Sequence, residues 1–235
     1  PIVRRSRRGS ARRTVAIPTL ASRLGSMCNM CWHAPMRFGE VAATSAHVAS
    51  VRARNIKRDA LAHVLRRATP VELPAVIGFL TGQLRQGRIG VGWRTLVSAQ
   101  DATASPSSVA TLEVADVDAA FSSLAALQGP GSTTRRRQVL IGLLDVATAE
   151  ERRLLKALIS GELRQGASGG VMADALATAA SVPVSAVRRA TMFGGRLDDV
   201  AVAAMAGGRD ALDRIGLVVG RPLQPMLAST SPSVP

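Results

Sequence analysis

A polar, glycine-rich stretch from Gly161 to Gly170 is the part of this sequence best suited to binding an anion. Apolar residues at helical spacing flank it on both sides, so it predicts a helix, a glycine turn and a second helix that begins near Gly169-Gly170. The start of a helix carries backbone N–H groups without partners, and the helix dipole favours a negative charge there. Arg164 lies close enough in the sequence to add a fixed positive charge to this predicted anion site.

The same pattern occurs a second time, 79 residues earlier in the chain. Gly82–Gly87 reads Gly-Gln-Leu-Arg-Gln-Gly, and Gly161–Gly166 reads Gly-Glu-Leu-Arg-Gln-Gly. The offset also relates the helical segments before the turns, and after them it places Gly90 opposite Gly169 and Leu96 opposite Ala175. Further pairs at this offset are Lys57 and Arg136, Arg58 and Arg137, Leu61 and Leu140, Leu65 and Leu144, Thr69 and Thr148, and Glu72 and Glu151. We therefore predict two copies of a helical unit, each with one anion-binding turn, which suits a partner that carries phosphates at two separated places.

Outside these turns the sequence contains no recognisable catalytic or metal-binding motif. It has no phosphate-binding loop ending in Gly-Lys-Ser/Thr, no His-Glu-x-x-His pair and no nucleophile motif. Cys28 and Cys31 have the spacing of half a zinc site, with His33 nearby, but no second pair of ligands follows at finger-like spacing. We expect these cysteines to be free thiols of a cytoplasmic protein. Asp198-Asp199, at an expected helix start, is interpreted as a partner of the helix dipole.

Trp93 follows the first turn in a chain with only 3% aromatic residues and no tyrosine. In such a sequence we expect a tryptophan to anchor a helix in the core. The alternative is that its indole stacks on a base or a sugar beside the turn.

The composition predicts a soluble all-α protein. Hydrophobic residues make up 47% of the chain and are mainly Ala, Leu and Val, which favours packed helices over a sheet. No apolar run approaches the roughly 20 residues of a membrane span. A monomer is expected.

The charge is strongly positive and unevenly distributed. The net charge is +14, and residues 1–35 hold seven arginines and no acidic residue. The rest of the chain is still basic enough for a nucleic-acid partner. We interpret residues 1–35 as a disordered basic leader that need not be native, and the alternative is an arm that grips nucleic acid.

The organised chain is expected to begin near Met36 and to form one helical domain over residues 36–228. Its copies span about 37–100 and 115–180, closing helices follow at 183–206, and residues 229–235 begin a linker. Thr69-Pro70 and Thr148–Glu151 are predicted to cap the third helix of each copy. Helices are predicted at about 37–51, 56–68, 71–84, 91–98, 115–128, 133–146, 149–163, 170–180, 183–193 and 197–206.

Several segments occur together in the order of one known family. They are Gly161–Gly166 with the following Gly170–Ala177, then Val187–Ala190, Phe193–Ala201 and Gly220–Ala228. In these segments, and over residues 36–228, the chain resembles the N-terminal DNA-binding domain of ATP-dependent DNA ligases, with the bacterial accessory ligases as the most similar group. The Pro-x-x-Pro-Met-Leu-Ala motif within Gly220–Ala228 marks the place where that domain ends and the adenylation domain begins.

The resemblance implies an all-helical domain with internal pseudo-two-fold symmetry that binds the minor groove on both sides of a nick. It implies contacts to phosphates without base readout, in DNA repair, replication or recombination. Other implied partners are the adenylation and OB-fold domains of the same protein, whose reaction uses ATP and Mg²⁺. No cofactor is expected in this chain. The implied phosphate contacts are Arg85, Gly87, Arg88 and Gly90 in the first turn and Arg164, Gly166, Ser168, Gly169 and Gly170 in the second.

Two features depart from the family pattern. Gly194-Gly195-Arg196 replaces the usual Gly-Asp, which leaves the role of this loop open. The Lys-x-Asp-Gly nucleophile of the family is absent, and the nearest match, Lys57–Ala60, has alanine in place of the glycine and lies on an amphipathic helix. We therefore expect the chain to be truncated before the adenylation domain, and to bind DNA without sealing it. Whether the gene continues stays open.

A second hypothesis remains. The chain could be a helical-repeat scaffold that binds protein, with its basic turns merely solvated. A steep salt dependence of DNA binding would favour the ligase hypothesis, because phosphate contacts release counterions.

Overall fold

The structure, a computed structural model, describes residues 34–163 and 165–220. This part of the chain contains ten helices and no strand, which confirms the predicted all-α fold. None of these helices is both long enough and apolar enough to span a bilayer. Arg164, the two cysteines and His33, nearly all of the basic leader and the segment 229–235 lie outside the described residues. The helices are α1 (Phe38–Ser50), α2 (Arg54–Arg67), α3 (Leu73–Thr81), α4 (Trp93–Asp101), α5 (Val114–Ala126), α6 (Ser132–Val146), α7 (Ala149–Ser160), α8 (Gly169–Ala180), α9 (Val184–Gly194) and α10 (Leu197–Asp213).

The same pair of Thr–Glu hydrogen bonds occurs at or just before the third helix of each copy. In α7 the backbone N–H of Thr148 donates to Glu151 Oε2 (2.8 Å), and the N–H of Glu151 donates to Thr148 Oγ1 (3.3 Å). Ahead of α3, the N–H of Thr69 donates to Glu72 Oε2 (2.9 Å), and the N–H of Glu72 donates to Thr69 Oγ1 (3.4 Å). The Thr148–Glu151 cap was predicted from the sequence, because it depends on residues only three positions apart. Thr69 was predicted to cap α3 as well, but α3 begins at Leu73 with Glu72 in the cap position, so the Thr69–Glu72 hydrogen bonds close a turn ahead of the helix.

Glycines end α3 and α7 earlier than the hydrophobic pattern suggested. The sequence placed the ends near residues 84 and 163, but the helices stop at Thr81 and Ser160. The next residues, Gly82 and Gly161, have φ values of 75° and 71°, a left-handed conformation that terminates a helix and favours glycine. Each glycine turn therefore starts directly at the end of a helix.

The last helix continues beyond its predicted end at residue 206. Gly208 leaves the helical conformation (φ 57°, ψ −142°) and makes a kink, after which α10 resumes and runs to Asp213. Leu212 is fully buried in this final stretch. The glycine pair thus bends the helix instead of ending it, because the following turn still has an apolar residue to bury.

The two copies are interlocked. The helix that follows each glycine turn packs on the second helix of the other copy: α4 packs on α6, and α8 packs on α2. In the same way, α1 of the first copy packs on α7 of the second, and α3 of the first copy packs on α5 of the second. The closing helices break this symmetry, since α10 packs on α3 and α8, and α9 packs on α8.

Beyond the turns the repeat offset changes from 79 to 76 residues. The cap of α4 is Gly92 and the cap of α8 is Ser168, because the first turn is longer than the second. Buried Leu96 therefore corresponds to buried Met172, and not to Ala175 as the sequence alignment had it. The sequence comparison missed this shift because the insertion falls among glycines.

Three phenylalanines form the centre of the core and join the copies. Phe79 of α3 packs edge-to-face on Phe38 of α1 and on Phe121 of α5, with ring centroids 5.5 and 5.8 Å apart. All three side chains are buried. Since α1 and α5 are the first helices of the two copies, Phe79 connects one copy to the other.

The Glu72 carboxylate links Met36, at the start of the domain, to the residues just before α3. We expect its contribution to the stability of the fold to decrease at acidic pH. Burial opposes its charge, but hydrogen bonds from the backbone N–H groups of Met36 and Thr69 and from the Thr69 hydroxyl hold the pKa of Glu72 below its ordinary value. A lowered folded-state pKa stabilises the fold above the unfolded-state pKa, and this stabilisation is lost as the pH falls through the folded-state pKa.

We expect Glu72→Gln to lower the free energy of unfolding at pH 7 by about 1–2 kcal/mol, because hydrogen bonds to a charged acceptor are lost. The variant should also lose less stability than the parent between pH 5 and pH 3. Urea unfolding followed by circular dichroism at several pH values measures both effects. Parallel pH profiles of the two proteins would contradict the assignment.

Candidate nucleic-acid interface

The second glycine turn is fixed in place by helices of the first copy. The Gln165 side chain is buried, accepts a hydrogen bond from the Ser45 hydroxyl of α1, and donates one to the carbonyl of Leu80 in α3. Lys57 Nζ of α2 donates to the main-chain carbonyl of Gln165 (2.9 Å). The turn is therefore held from three helices, and this fixes where α8 begins.

The start of α8 is open to an incoming anion. Ser168 occupies the cap position with an extended backbone, but its side chain makes no capping hydrogen bond. Gly169 and Gly170 follow and are exposed, and a Cβ atom on Gly169 would meet nothing within 4 Å. Within residues 34–163 and 165–220 the structure shows no acceptor for their backbone N–H groups. These donors and the helix dipole make a site of the kind that binds phosphate.

Three cations lie around this helix start. Lys57 Nζ is only 2.6 Å from the position of a Cβ on Gly166, and Arg54 Nη2 is 3.8 Å from that of a Cβ on Gly170. Arg54 and Arg188 share the carboxylate of Asp174, at 2.6 and 2.8 Å. Burial opposes the charge of Asp174, but the hydrogen bonds from the two arginines hold its pKa below the ordinary value. One carboxylate against three cations leaves the site positive.

A groove of about 760 Å³ leads to this helix start. Ser168, Gly169 and Gly170 line it, and the start of the first turn and the α9–α10 loop line it as well. The structure thus brings the Gly194–Arg196 segment, whose role the sequence left open, beside the second turn. Asp198 is nearly buried and accepts a hydrogen bond from Arg196 Nε (3.0 Å). Its carboxylate therefore pairs with the Arg196 guanidinium in addition to lying at the start of α10.

The first turn lines a separate groove of about 550 Å³. Gly87, Arg88 and Gly90 lie there, next to Gly161 of the second copy. Arg88 is exposed and has no acidic partner within the described ranges. A Cβ on Gly90 would lie 2.8 Å from Arg136 Nη2. Glycine is favoured at position 90 because its φ of 69° lies in the left-handed region, and any side chain there would also have to displace the Arg136 guanidinium.

Arg85 is directed towards a carboxylate and lies outside both grooves. Its Nε donates to Asp118 Oδ1 of α5 (2.6 Å), and its Nη2 donates to the second oxygen of the same carboxylate. These hydrogen bonds raise the pKa of the guanidinium above its ordinary value. The pairing with Asp118 is not evident from the sequence, because this carboxylate lies on the first helix of the other copy.

The two turns contact each other near their starts. A Cβ on Gly82 would lie 3.3 Å from Leu163 Cβ, so the turns are closer at their starts than the sequence suggested. The cations nevertheless follow the pseudo-symmetry: Lys57 of α2 packs on Gly166, and Arg136 of α6 packs on Gly90. The signal that could have identified these two cations was in the sequence, because they correspond at the 79-residue offset.

Trp93 does not anchor the core, and that prediction was wrong. It is the first residue of α4 and 69% of its surface is exposed. This short helix buries only Leu96 and Ala99, so its first turn is left uncovered. No cluster of potential metal ligands occurs in the part of the chain that the structure describes.

Comparisons with known proteins point to one family. Residues 98–177 match the family described as DNA ligase N terminus. The chain is 48% identical over 199 residues to a probable DNA ligase of Rhodococcus jostii, 49% identical over 199 residues to one of Streptomyces griseus, and 47% identical over 197 residues to one of Mycolicibacterium paratuberculosis. These alignments cover 83–85% of this chain and 37–39% of each relative. The chain thus spans about two fifths of the length of these relatives.

Proposed function

Because this chain belongs to the DNA ligase family, of which it represents the N-terminal part, we propose that it is the DNA-binding portion of an ATP-dependent DNA ligase. It holds a nicked duplex through the phosphates of the backbone and does not read base sequence. It works with adenylation and OB-fold domains of the same protein, in the cytoplasm, in repair, replication or recombination.

The open start of α8 is the observation that carries this proposal. Its exposed glycine N–H groups, the positive end of the helix and the neighbouring Lys57 together suit a phosphate oxygen. Contacts of this type position a protein on DNA without distinguishing the bases. A ligase requires this property, because a nick has no fixed sequence.

The chemistry of ligation is assigned to other parts of the protein. Lys57 heads a Lys-x-Asp sequence, but its Nζ donates to the Gln165 carbonyl and supports the second turn. We therefore propose that Lys57 supports the second turn and is not the nucleophile of the ligase reaction.

The proposed phosphate contacts are the residues inferred from the sequence, with different roles. Gly166, Ser168, Gly169 and Gly170 present the second turn, with Arg164 next to them in the chain. In the first turn Arg88 is available, whereas Arg85 must exchange the Asp118 carboxylate for a phosphate. Gly87 and Gly90 keep side chains out of the first groove.

Titration of the chain with fluorescent DNA tests the proposal. We compare a nicked duplex, the intact duplex and duplexes of unrelated sequence, each over a range of salt concentrations. The expected result is tighter binding to the nicked duplex, no dependence on sequence, and a logarithm of affinity that falls linearly with the logarithm of salt. Absence of DNA binding at low salt would overturn the proposal and favour a protein-binding scaffold.

Arg88 and Arg85 should respond differently to truncation. Arg88→Ala is expected to weaken DNA binding by about 1–2 kcal/mol and to lower the salt slope by about one, because one phosphate contact is lost. Arg85→Ala is expected to cost less binding, because breaking the Asp118 pair offsets the phosphate contact. It should also lower stability by up to about 1 kcal/mol, as for a partly exposed ion pair.

Anisotropy titrations and thermal unfolding of both variants measure these effects, with Arg66→Ala as a control, since Arg66 is an exposed arginine of α2 that lines neither groove. Equal losses for Arg88→Ala and Arg66→Ala would show that only overall charge matters.

A further inference from the structure

The exposed Trp93 has surroundings that differ from those of the other described aromatic residues. Three phenylalanines are buried in the core, and Phe193 is partly buried beneath the Arg189 guanidinium, 5.9 Å from its ring centroid. Trp93 instead presents most of its indole to solvent. A tryptophan this exposed presents a large flat apolar surface to solvent, which suits a partner with a flat apolar face.

The indole stands directly beside the first turn. Gly92, which caps α4, lines the first-turn groove, and Trp93 is the next residue. Gly90 and Trp93 are three positions apart, a reach of at most about 11 Å of extended chain. A DNA strand rises about 3.4 Å along the helix axis per nucleotide, so this reach spans at most about three nucleotides of axial rise. A phosphate bound at the first turn would therefore place sugars of the same strand within reach of the indole.

Positive charges flank the tryptophan. Trp93 lines an open pocket of about 390 Å³ together with Arg94, Arg137 and the carboxylate of Asp101, the last residue of the same helix. Arg137 is oriented by Ser98, to which its Nε donates at 2.8 Å. Arg94 is exposed and forms no ion pair with any described residue. The surface therefore combines a flat apolar face with two cations and one carboxylate, a positive balance that suits an anionic partner with apolar faces.

The second copy has a different residue at the same place. Trp93 and Gly169 are the first residues of the corresponding helices α4 and α8. The space at Gly169 is open, so a side chain would fit, yet the residue there is a glycine. The two turns are therefore unequal: one exposes bare backbone, and the other carries an indole.

We propose that Trp93 packs against the deoxyribose and base edges of the strand whose phosphate occupies the first turn. This apolar contact with DNA would distinguish the first turn from the second. This inference rests on the proposed DNA-binding function. Aromatic contacts to nucleic acid tolerate any sequence, because every nucleotide presents apolar faces. The contact therefore adds affinity without base readout.

Fluorescence of the indole tests the proposal directly. The chain contains two tryptophans, Trp32 and Trp93, and no tyrosine, so Trp32→Phe leaves Trp93 as the only strong emitter. On saturation with duplex DNA we expect the emission of Trp93 to change and its quenching by acrylamide to fall at least twofold. Inorganic polyphosphate, which carries charge without sugars or bases, should bind without this protection.

Affinity measurements complete the test. Trp93→Ala is expected to bind DNA about tenfold more weakly, within the range for losing an aromatic contact, and Trp93→Phe should retain most of the affinity. Thermal unfolding should change little in either variant, because the side chain is exposed. Unchanged acrylamide quenching in the DNA complex, or an unchanged affinity of Trp93→Ala, would overturn the proposal while the parent still binds DNA.

Two further outcomes have a clear meaning. If the parent chain itself fails to bind DNA, the proposed function fails together with this inference. Protection of Trp93 by the remaining domains of the ligase, but not by DNA, would overturn the inference in favour of a protein contact.

Discussion

Replacing Phe79 with alanine is expected to lower the free energy of unfolding by about 3–5 kcal/mol. The ring is 1% exposed and lies between Phe38 and Phe121, so its removal leaves a cavity where the two copies meet. Domains of this kind are stable by only about 5–15 kcal/mol, so the variant would lose a large share of its stability. Denaturant unfolding followed by circular dichroism measures the loss.

Two further variants control for this effect. Phe79→Leu keeps an apolar side chain in the same place and should cost less than about 1.5 kcal/mol if the core repacks. Phe193→Ala removes a partly exposed ring from α9, outside the stack, and should cost clearly less than Phe79→Ala. If Phe79→Ala and Phe193→Ala unfolded at the same denaturant concentration, the central role of Phe79 would be wrong.

Gly169→Glu should separate DNA binding from folding. A glutamate at the first position of α8 places its carboxylate near the helix start, where it occupies the proposed phosphate site and repels the DNA backbone. We expect DNA affinity to fall by about 2–3 kcal/mol, the scale of charge-assisted hydrogen bonds that are lost. Stability should stay constant or rise by about 0.3–1 kcal/mol, because an acidic side chain favours a helix start.

The space around Gly169 makes the comparison clean. A Cβ atom meets nothing within 4 Å there, so neither the glutamate nor its controls should distort the turn. Gly169→Gln has nearly the same shape without the charge, and Gly169→Ala adds only the methyl group. Both should bind DNA much better than Gly169→Glu in anisotropy titrations. Equal affinities of the glutamate and glutamine variants would exclude a phosphate at the start of α8.

Local sequence rules predicted the helices and their caps well. The Thr148–Glu151 cap depends on neighbours in the sequence, and so do the equivalent hydrogen bonds between Thr69 and Glu72 ahead of α3. The repeat also revealed the internal symmetry, since helix formation and capping require the same residues in both copies. The sequence was least informative where the outcome depended on distant partners.

Arg85 and Trp93 show why the candidate site was only partly predictable. The arginine matched the repeat, but Asp118 comes from another helix and competes for its guanidinium. The tryptophan was assigned to the core because the chain has few aromatic residues. Its side chain is exposed because the described elements leave the first turn of α4 uncovered. Both outcomes depend on the exchange of helices between the copies, which no local pattern encodes.

The packing of helices of one copy on helices of the other also delays the completion of the core while the chain is being synthesised. Helix α2 leaves the ribosome early, but the helix that covers its apolar face, α8, begins 115 residues later. At synthesis rates of about 5–20 residues per second this delay is about 6–23 s. For that interval α1 and α3 can already pack on α2, but the part of its apolar face that α8 covers stays exposed, so this stage of translation is the one at which chaperones or aggregation would act on it.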